Sequence, residues 1–312
     1  GYLSKLVEAG SLKVEMPANW SVSRINDYGK CPFRYWASNV LKLKPFEEPT
    51  SDMDPRLLGE TYHKALEIFY LELIDKKFNS IEQAGGLLSE IIDRSISEGI
   101  EWLEQNSNVK DGEFWHLQAK EIDFRLRRFI EKEKDREQKD KVGFAPYLVE
   151  AAFGFEQEED SAPPLVLSDG DVSLRFRGRI DRIDIASSGS TSFKLKVIDY
   201  KAGAGYISDK EARAGRNLQM PIYMMAAEQC VKPGSVSDEG VYLRVSDGSP
   251  IGRIGYKSED EKKALFALVK DHAISYSRSI ASGDFSVRPN GADVCSRCDH
   301  SKVCRITEIE SG

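Results

Sequence analysis

Four of the five cysteines of this chain sit where a bound metal could join its two ends. Cys295, Cys298 and Cys304 read C-x2-C-x5-C in the C-terminal tail, and Cys31 lies far upstream in KCPFRYW. An odd count with three members clustered suits a metal site in a reducing compartment better than a disulfide framework. Four thiolates fit tetrahedral zinc, where His300 could replace one cysteine, and they equally fit an iron–sulfur cluster. Either would clamp the chain between Cys31 and the tail into one closed unit. The fifth, Cys230, follows the apolar run YMMAAE and is expected to be a buried structural thiol, since free cysteine packs as a small hydrophobe.

The clamped segment is large enough for a real core. The chain has 312 residues, 40% of them hydrophobic, and a net charge of −7. That balance argues against a general basic coat for nucleic acid, but a local basic groove beside a bound cation remains compatible with it. No apolar run approaches the ~20 residues that span a bilayer. Neither a span nor a signal peptide is legible, so the expected compartment is the cytoplasm and no membrane partner is expected. The first residues, Gly-Tyr-Leu, lack an initiator Met, as an excised piece of a longer protein would.

Helical periodicity dominates the first half and strand alternation follows. Residues 1–20 read as a short helix and a loop. Ser21 or Ser23 can cap a helix that ends near Cys31, because the residue before Pro32 avoids the helical region. Residues 55–78, 81–105 and 113–137 read as amphipathic helices. Strands are expected over 147–157, 172–186 and 193–203, the last two forming a hairpin through SSGSTS at 187–192. A helix is expected near 217–230, beginning close to Gln219 because Pro221 is tolerated only in a first turn. A short strand at 241–245 and a long helix at 258–282 complete the pattern. Helices first and a sheet after imply an α/β domain with a helical insertion.

The chemistry concentrates in GRID (Gly178 to Asp181) and VIDYK (Val197 to Lys201). Asp199 and Lys201 are two apart on one strand, so both side chains share a face. Their strand is otherwise apolar, and an ionised aspartate there needs a partner or a metal. Asp181, ending the neighbouring strand, brings a second carboxylate. Two carboxylates around a hard divalent ion, with a lysine beside them, suit phosphodiester hydrolysis. D-x-K alone is a common tripeptide and would equally describe a surface ion pair.

The surrounding motifs extend that site. SRINDYGKCPFRYW, LLGETYHKALE with His63, GRID, VIDYK and LQMPIY with Gln219 and Tyr223 occur in this order between about Ser21 and Arg305. In this the chain resembles the PD-(D/E)XK nuclease superfamily, and within it the RecB/AddB-type exonuclease domain of bacterial helicase–nuclease subunits. The resemblance implies a restriction-endonuclease-like fold, a mixed central sheet flanked by helices. It implies one nuclease domain over 1–312, with a mainly helical part at 21–146, a catalytic sheet core at 147–245, and a long helix and cysteine tail at 258–312.

The resemblance also implies Mg2+ or Mn2+ on His63, Asp181, Asp199 and the Tyr200 carbonyl, with Lys201 acting on the attacking water. Gln219 and Tyr223 would touch DNA or groups near the metal, and Glu150 falls at a position that is often acidic, as a further metal-facing or supporting group. Cys31, Cys295, Cys298 and Cys304 would hold a structural [4Fe–4S] cluster, with zinc as the alternative. Arg24, Lys30 and Arg34 are candidate DNA contacts.

The expected activity is hydrolysis of single-stranded DNA delivered by a helicase partner, in repair or end processing. The chain has no G-x-x-x-x-G-K-[ST] sequence, so a motor must lie elsewhere. A CRISPR-associated end-trimming nuclease and a non-catalytic DNA-end-binding scaffold are the alternatives. The helical insertion between His63 and Asp181 argues against the first, and the intact Asp181, Asp199 and Lys201 against the second.

Overall fold

The computed structural model describes Lys5, residues 14–44, 54–107, 113–188, 192–203, 207–296 and 298–304, and Ile306. The short helix expected in residues 1–20 and the centre of the turn at 187–192 lie outside the described residues. Strand β1 (Trp20–Ser21) leads into α1 (Val22–Lys30), which Ser21 caps by accepting from the Arg24 amide at 3.3 Å. That helix stops at Cys31, whose extended backbone (φ −165°, ψ 126°) follows from the next residue being Pro32. Helix α2 (Pro32–Tyr35) continues as a wider turn to Val40.

Three long helices follow, near the expected bounds: α3 (Pro55–Asp75), α4 (Leu88–Asn106) after a tight turn over Ile81–Leu87, and α5 (Glu113–Lys139). Asp54 and Pro55 start α3 with a side-chain cap and a proline in the first turn.

The rest builds one seven-stranded mixed sheet, ordered β1-β4-β5-β6-β7, with β2 and β3 both paired to β4. Its strands are β2 (Ala145–Phe153), β3 (Leu165–Asp169), β4 (Val172–Ser187), β5 (Phe193–Lys201), β6 (Val236–Arg244) and β7 (Pro250–Gly255). β4 and β5 are antiparallel, as the hairpin reading expects, and β5 and β6 are parallel. Helices α6 (Asp209–Arg213) and α7 (Gln219–Ala226) form the β5–β6 crossover. As Pro221 requires, α7 begins at Gln219. The chain ends in α8 (Glu259–Ala281), α9 (Ala292–Ser296) and α10 (Ser301–Cys304).

Alternation along β5 divides the core in two. Leu195 and Val197 pack with Ile25, Met224 and Val269 on one side of the sheet. Ile198 and Tyr200 pack with Phe69, Leu126 and Phe129 of the helical insertion on the other. The site therefore lies between two independently packed layers. Two expectations need correction. Asp181 does not end its strand, because β4 runs on to Ser187. Cys230 is only half-buried, packed at the margin of the first core, because the turn after α7 carries it toward the surface. Among the described residues, no helix is long and apolar enough to cross a membrane.

Candidate active site

The site forms where β4 and β5 part. The last rung of their ladder is Arg182 opposite Ile198, while β5 stays paired to β6 as far as Lys201. Just beyond that rung, the Tyr200 N–H donates to Asp181 Oδ2 at 2.6 Å. A carboxylate thus takes a backbone donor at the fork, and the divergence opens room for a ligand. The Tyr200 ring points the other way, into the helical layer, edge-on to Phe129 and to His63.

Asp199 and Lys201 share one face of β5, as period two dictates. Asp199 is 2% exposed. The Lys201 ammonium pairs with Asp199 Oδ2 and donates to Gln219 Oε1 at 3.1 Å. The Gln219 amide donates to Asp199 Oδ1 at 2.8 Å, closing a triangle of lysine, aspartate and amide. Helix α7 is aimed by two asparagines: Asn26 of α1 accepts from the Leu218 amide at 2.7 Å, and Asn217 accepts from the Gln219 amide at 3.1 Å. Sequence reasoning missed both, although an asparagine just before a helix start is a capping signal. Tyr223 lies one turn after Gln219, its ring edge-on to Phe153, and burial pushes its phenol up.

His63, on α3, places Nδ1 3.7 Å from Asp181 Oδ1. Burial pushes its pKa down, opposed by Asp199 and by a hydrogen bond to the Tyr200 backbone. The ring is thereby kept neutral, the form that ligates metals. Glu150 stands in β2 between Val149, opposite Arg182, and Ala151, opposite Ile180, which sets it against Asp181. Its φ of 47° is a costly conformation for a non-glycine residue inside a strand, and such residues cluster at functional sites. Burial, then Glu67, pushes its carboxyl up to about 7.

One ligand atom each from His63, Glu150 and Asp181 falls within 4.8 Å of the others. Burial, then Asp199, raises Asp181 well above the ordinary carboxyl range. Converging acids that resist ionisation are a donor set that a divalent cation would stabilise. Asp199 lies outside this trio, turned toward Lys201 and Gln219, although its charge reaches both His63 and Asp181.

Two clefts open on the site. One, of about 480 Å3, is bounded by His63, Glu150, Asp181, Lys64 and Glu67. The other, of about 870 Å3, runs from Lys201, Gln219 and Tyr223 past Lys30, Arg34 and Arg177. Two of the expected DNA contacts therefore line a groove that reaches the site. Burial, then Arg34, lowers the Lys30 ammonium, and Arg34 pairs with Asp27 at 3.0 Å. Arg24 does not line the groove; its guanidinium lies over Trp20 and Tyr35.

The cysteines gather at the chain ends. Cys31, Cys295, Cys298 and Cys304 line one cavity of about 300 Å3, walled by apolar residues such as Val287, Pro289 and Val294. Four thiolates around one cavity fit tetrahedral zinc or an iron–sulfur cluster. His300 is not among the residues that line this cavity, and its Nε2 lies 2.7 Å from Ser38 Oγ. Protein hydrogen bonds join the same ends, from the Asn290 amide to the Lys30 carbonyl at 2.8 Å and from the Phe33 amide to the Ser286 carbonyl at 3.2 Å.

Known proteins are similar to most of this chain. A family model described as the PD-(D/E)XK nuclease superfamily matches residues 19–305. The chain is 31% identical over 216 residues to an ATP-dependent helicase/deoxyribonuclease subunit from Moorella thermoacetica, a match covering 68% of this chain and 18% of that one. It is 28% identical over 208 residues to the protein of the same name from Anoxybacillus flavithermus, covering 65% and 17%. With its counterpart from a Thermoanaerobacter species it shares 27% over 257 residues, covering 78% and 21%. The matched segment is thus about a fifth of each relative's length.

Proposed function

Because the chain belongs to the PD-(D/E)XK nuclease superfamily, we propose that the fork between β4 and β5 hydrolyses DNA phosphodiester bonds, acting on a single strand supplied by a helicase. The observation that carries this reading is the convergence of His63, Glu150 and Asp181 beside the Lys201–Asp199–Gln219 triangle. Mg2+ or Mn2+ would be held by His63, Asp181, Asp199 and the Tyr200 carbonyl, with Glu150 facing it. The ion would polarise the phosphoryl oxygen and acidify a bound water.

The protein's own groups do the rest. Lys201, fixed by Asp199 and Gln219, orients the attacking water and offsets charge developing on the phosphoryl oxygens. Tyr223 and Gln219 border the groove where the strand approaches. Lys30 and Arg34 hold its backbone. The four cysteines hold a structural [4Fe–4S] cluster that fastens α2 to the C-terminal tail. We read residues 1–312 as one nuclease domain of a longer helicase–nuclease subunit, working in repair or end processing. The relatives' names, which pair a helicase with a deoxyribonuclease, support that placement.

The test is cleavage of an end-labelled single-stranded oligonucleotide with and without Mg2+. The wild-type chain should cut only with the ion. Asp199→Ala should lower kcat at least ~100-fold, because it removes both a charge at the metal and the partner that positions Lys201. Cleavage by Asp199→Ala at the wild-type rate would sink the site assignment.

A further inference from the structure

The exposed face of β4 leads straight to the site. Arg175, Arg177 and Arg179 occupy alternate, exposed positions, and the next residue of that series is Asp181. Period two places all four side chains on one face. The loop after β2 treats the three arginines differently. Glu156 pairs with Arg175 at 3.1 Å, and Glu158 pairs with Arg179 at 2.8 Å. Among the described residues, no ion pair involves Arg177. Its guanidinium lies 5.4 Å from the centroid of Phe155, the residue that follows the turn at Gly154, a ring it shares with the carboxylate-paired Arg179 at 5.6 Å. Of the three arginines, only Arg177 lines the groove that Lys201, Gln219 and Tyr223 close at its inner end, and Phe155 lines it too.

An arginine with no carboxylate partner, backed by an aromatic ring, is a preorganised phosphate donor. The ring holds the guanidinium plane without neutralising its charge. Four residues of strand separate it from Asp181, about 13 Å at the rise of an extended chain. A polynucleotide whose reacting phosphate sits at the carboxylates would therefore reach Arg177 a few nucleotides along. We propose that Arg177, held over Phe155, is a non-catalytic anchor for a backbone phosphate of the substrate strand, away from the bond that is cut. This rests on the nuclease reading above and adds to it where along the protein the uncut part of the strand is held.

The full chain is tested as wild type, Arg177→Ala, Arg177→Lys and Phe155→Leu. Binding of a long single-stranded oligonucleotide is followed by fluorescence anisotropy in Ca2+ across a salt series, and steady-state cleavage in Mg2+ is measured on the same oligonucleotide and on a dinucleotide. Arg177→Ala should reduce the slope of log affinity against log salt by about 0.7, one phosphate contact on a single strand. It should also raise KM for the long substrate roughly fivefold while leaving kcat unchanged. Arg177→Lys should keep the salt slope, and Phe155→Leu should show a smaller rise in KM. The dinucleotide is too short to reach the anchor, so all four proteins should give it the same kcat/KM, whereas a merely structural defect would lower both substrates together.

An unchanged salt slope and KM in Arg177→Ala, or equal losses on both substrates, would overturn the proposal while leaving the nuclease reading intact. A wild type that neither binds nor cuts either substrate would overturn the nuclease reading itself, and this proposal with it.

Discussion

At the scale of single residues, the site is made by atoms forced into positions that a regular sheet would not give them. The Tyr200 amide is taken by Asp181, and Glu150 adopts a left-handed backbone inside a strand. Asp199 and Lys201 could be paired from the sequence because period two is a local rule. The turn of Asp199 toward Gln219 could not, since it depends on where α7 docks. Gly178 of the GRID motif packs closely against two aromatic rings of the site. A Cβ there would sit 3.0 Å from the Phe153 ring and 3.1 Å from the Tyr223 ring, closer than aromatic carbons tolerate without moving. Gly178→Ala should cost about 1–3 kcal/mol, read as a lower urea midpoint with an unchanged m-value. An unshifted midpoint would mean that Tyr223 gives way freely and is not fixed by its packing.

At the scale of elements, the helical insertion holds the catalytic hairpin through a buried polar network. Arg182, 4% exposed, donates to Glu133 of α5 at 2.6 Å and to Asp184 at 2.9 Å, and lies 4.1 Å from the Tyr70 ring centroid. The Tyr200 hydroxyl accepts from the same guanidinium at 3.3 Å. The α5 acids titrate in opposite senses. Burial alone would raise Glu133, but Arg182 and Arg136 hold it down to about 2. Its folded pKa lies below its unfolded one, so its contribution is present above the ordinary carboxyl range and is lost as pH falls toward 2. One turn on, burial pushes Glu137 up to about 7. The folded state there holds its proton more tightly, so stability from this group is present at acid pH and is lost as pH rises through about 7.

Glu137→Gln should therefore match the wild type at acid pH and be the more stable protein above about 7, in urea melts across pH. A constant difference at every pH would contradict this. None of the network was legible beforehand, because charged residues in α5 read as a solvated face until tertiary packing buries them. β3 and β7 were equally hidden. LVLSD and PIGRIG are short or glycine- and proline-bearing, and β4 and β6 supply the pairing that makes them strands.

At the scale of the whole molecule, the two packed layers, the sheet fork and the cysteine cavity form one arrangement. The helical layer brings His63, the fork brings Asp181 and Asp199, and the layer carrying α1 and α7 brings Gln219 and Tyr223. The joined chain ends form one bank of the basic groove through Lys30 and Arg34. The order of motifs along the sequence carried the resemblance that implies this fold, and the helices and strands that hold them have a readable period. The path of the groove was not legible, since it joins residues from β1 to α9 that no local pattern connects. The claim that the fork between β4 and β5 holds the catalytic ion is tested by Mn2+ binding, followed by calorimetry on the wild type and on Asp181→Ala. The wild type should bind Mn2+, and Asp181→Ala should lose that binding while keeping its fold by circular dichroism. An Asp181→Ala protein that bound Mn2+ as tightly as the wild type would show that the fork between β4 and β5 does not hold the catalytic ion.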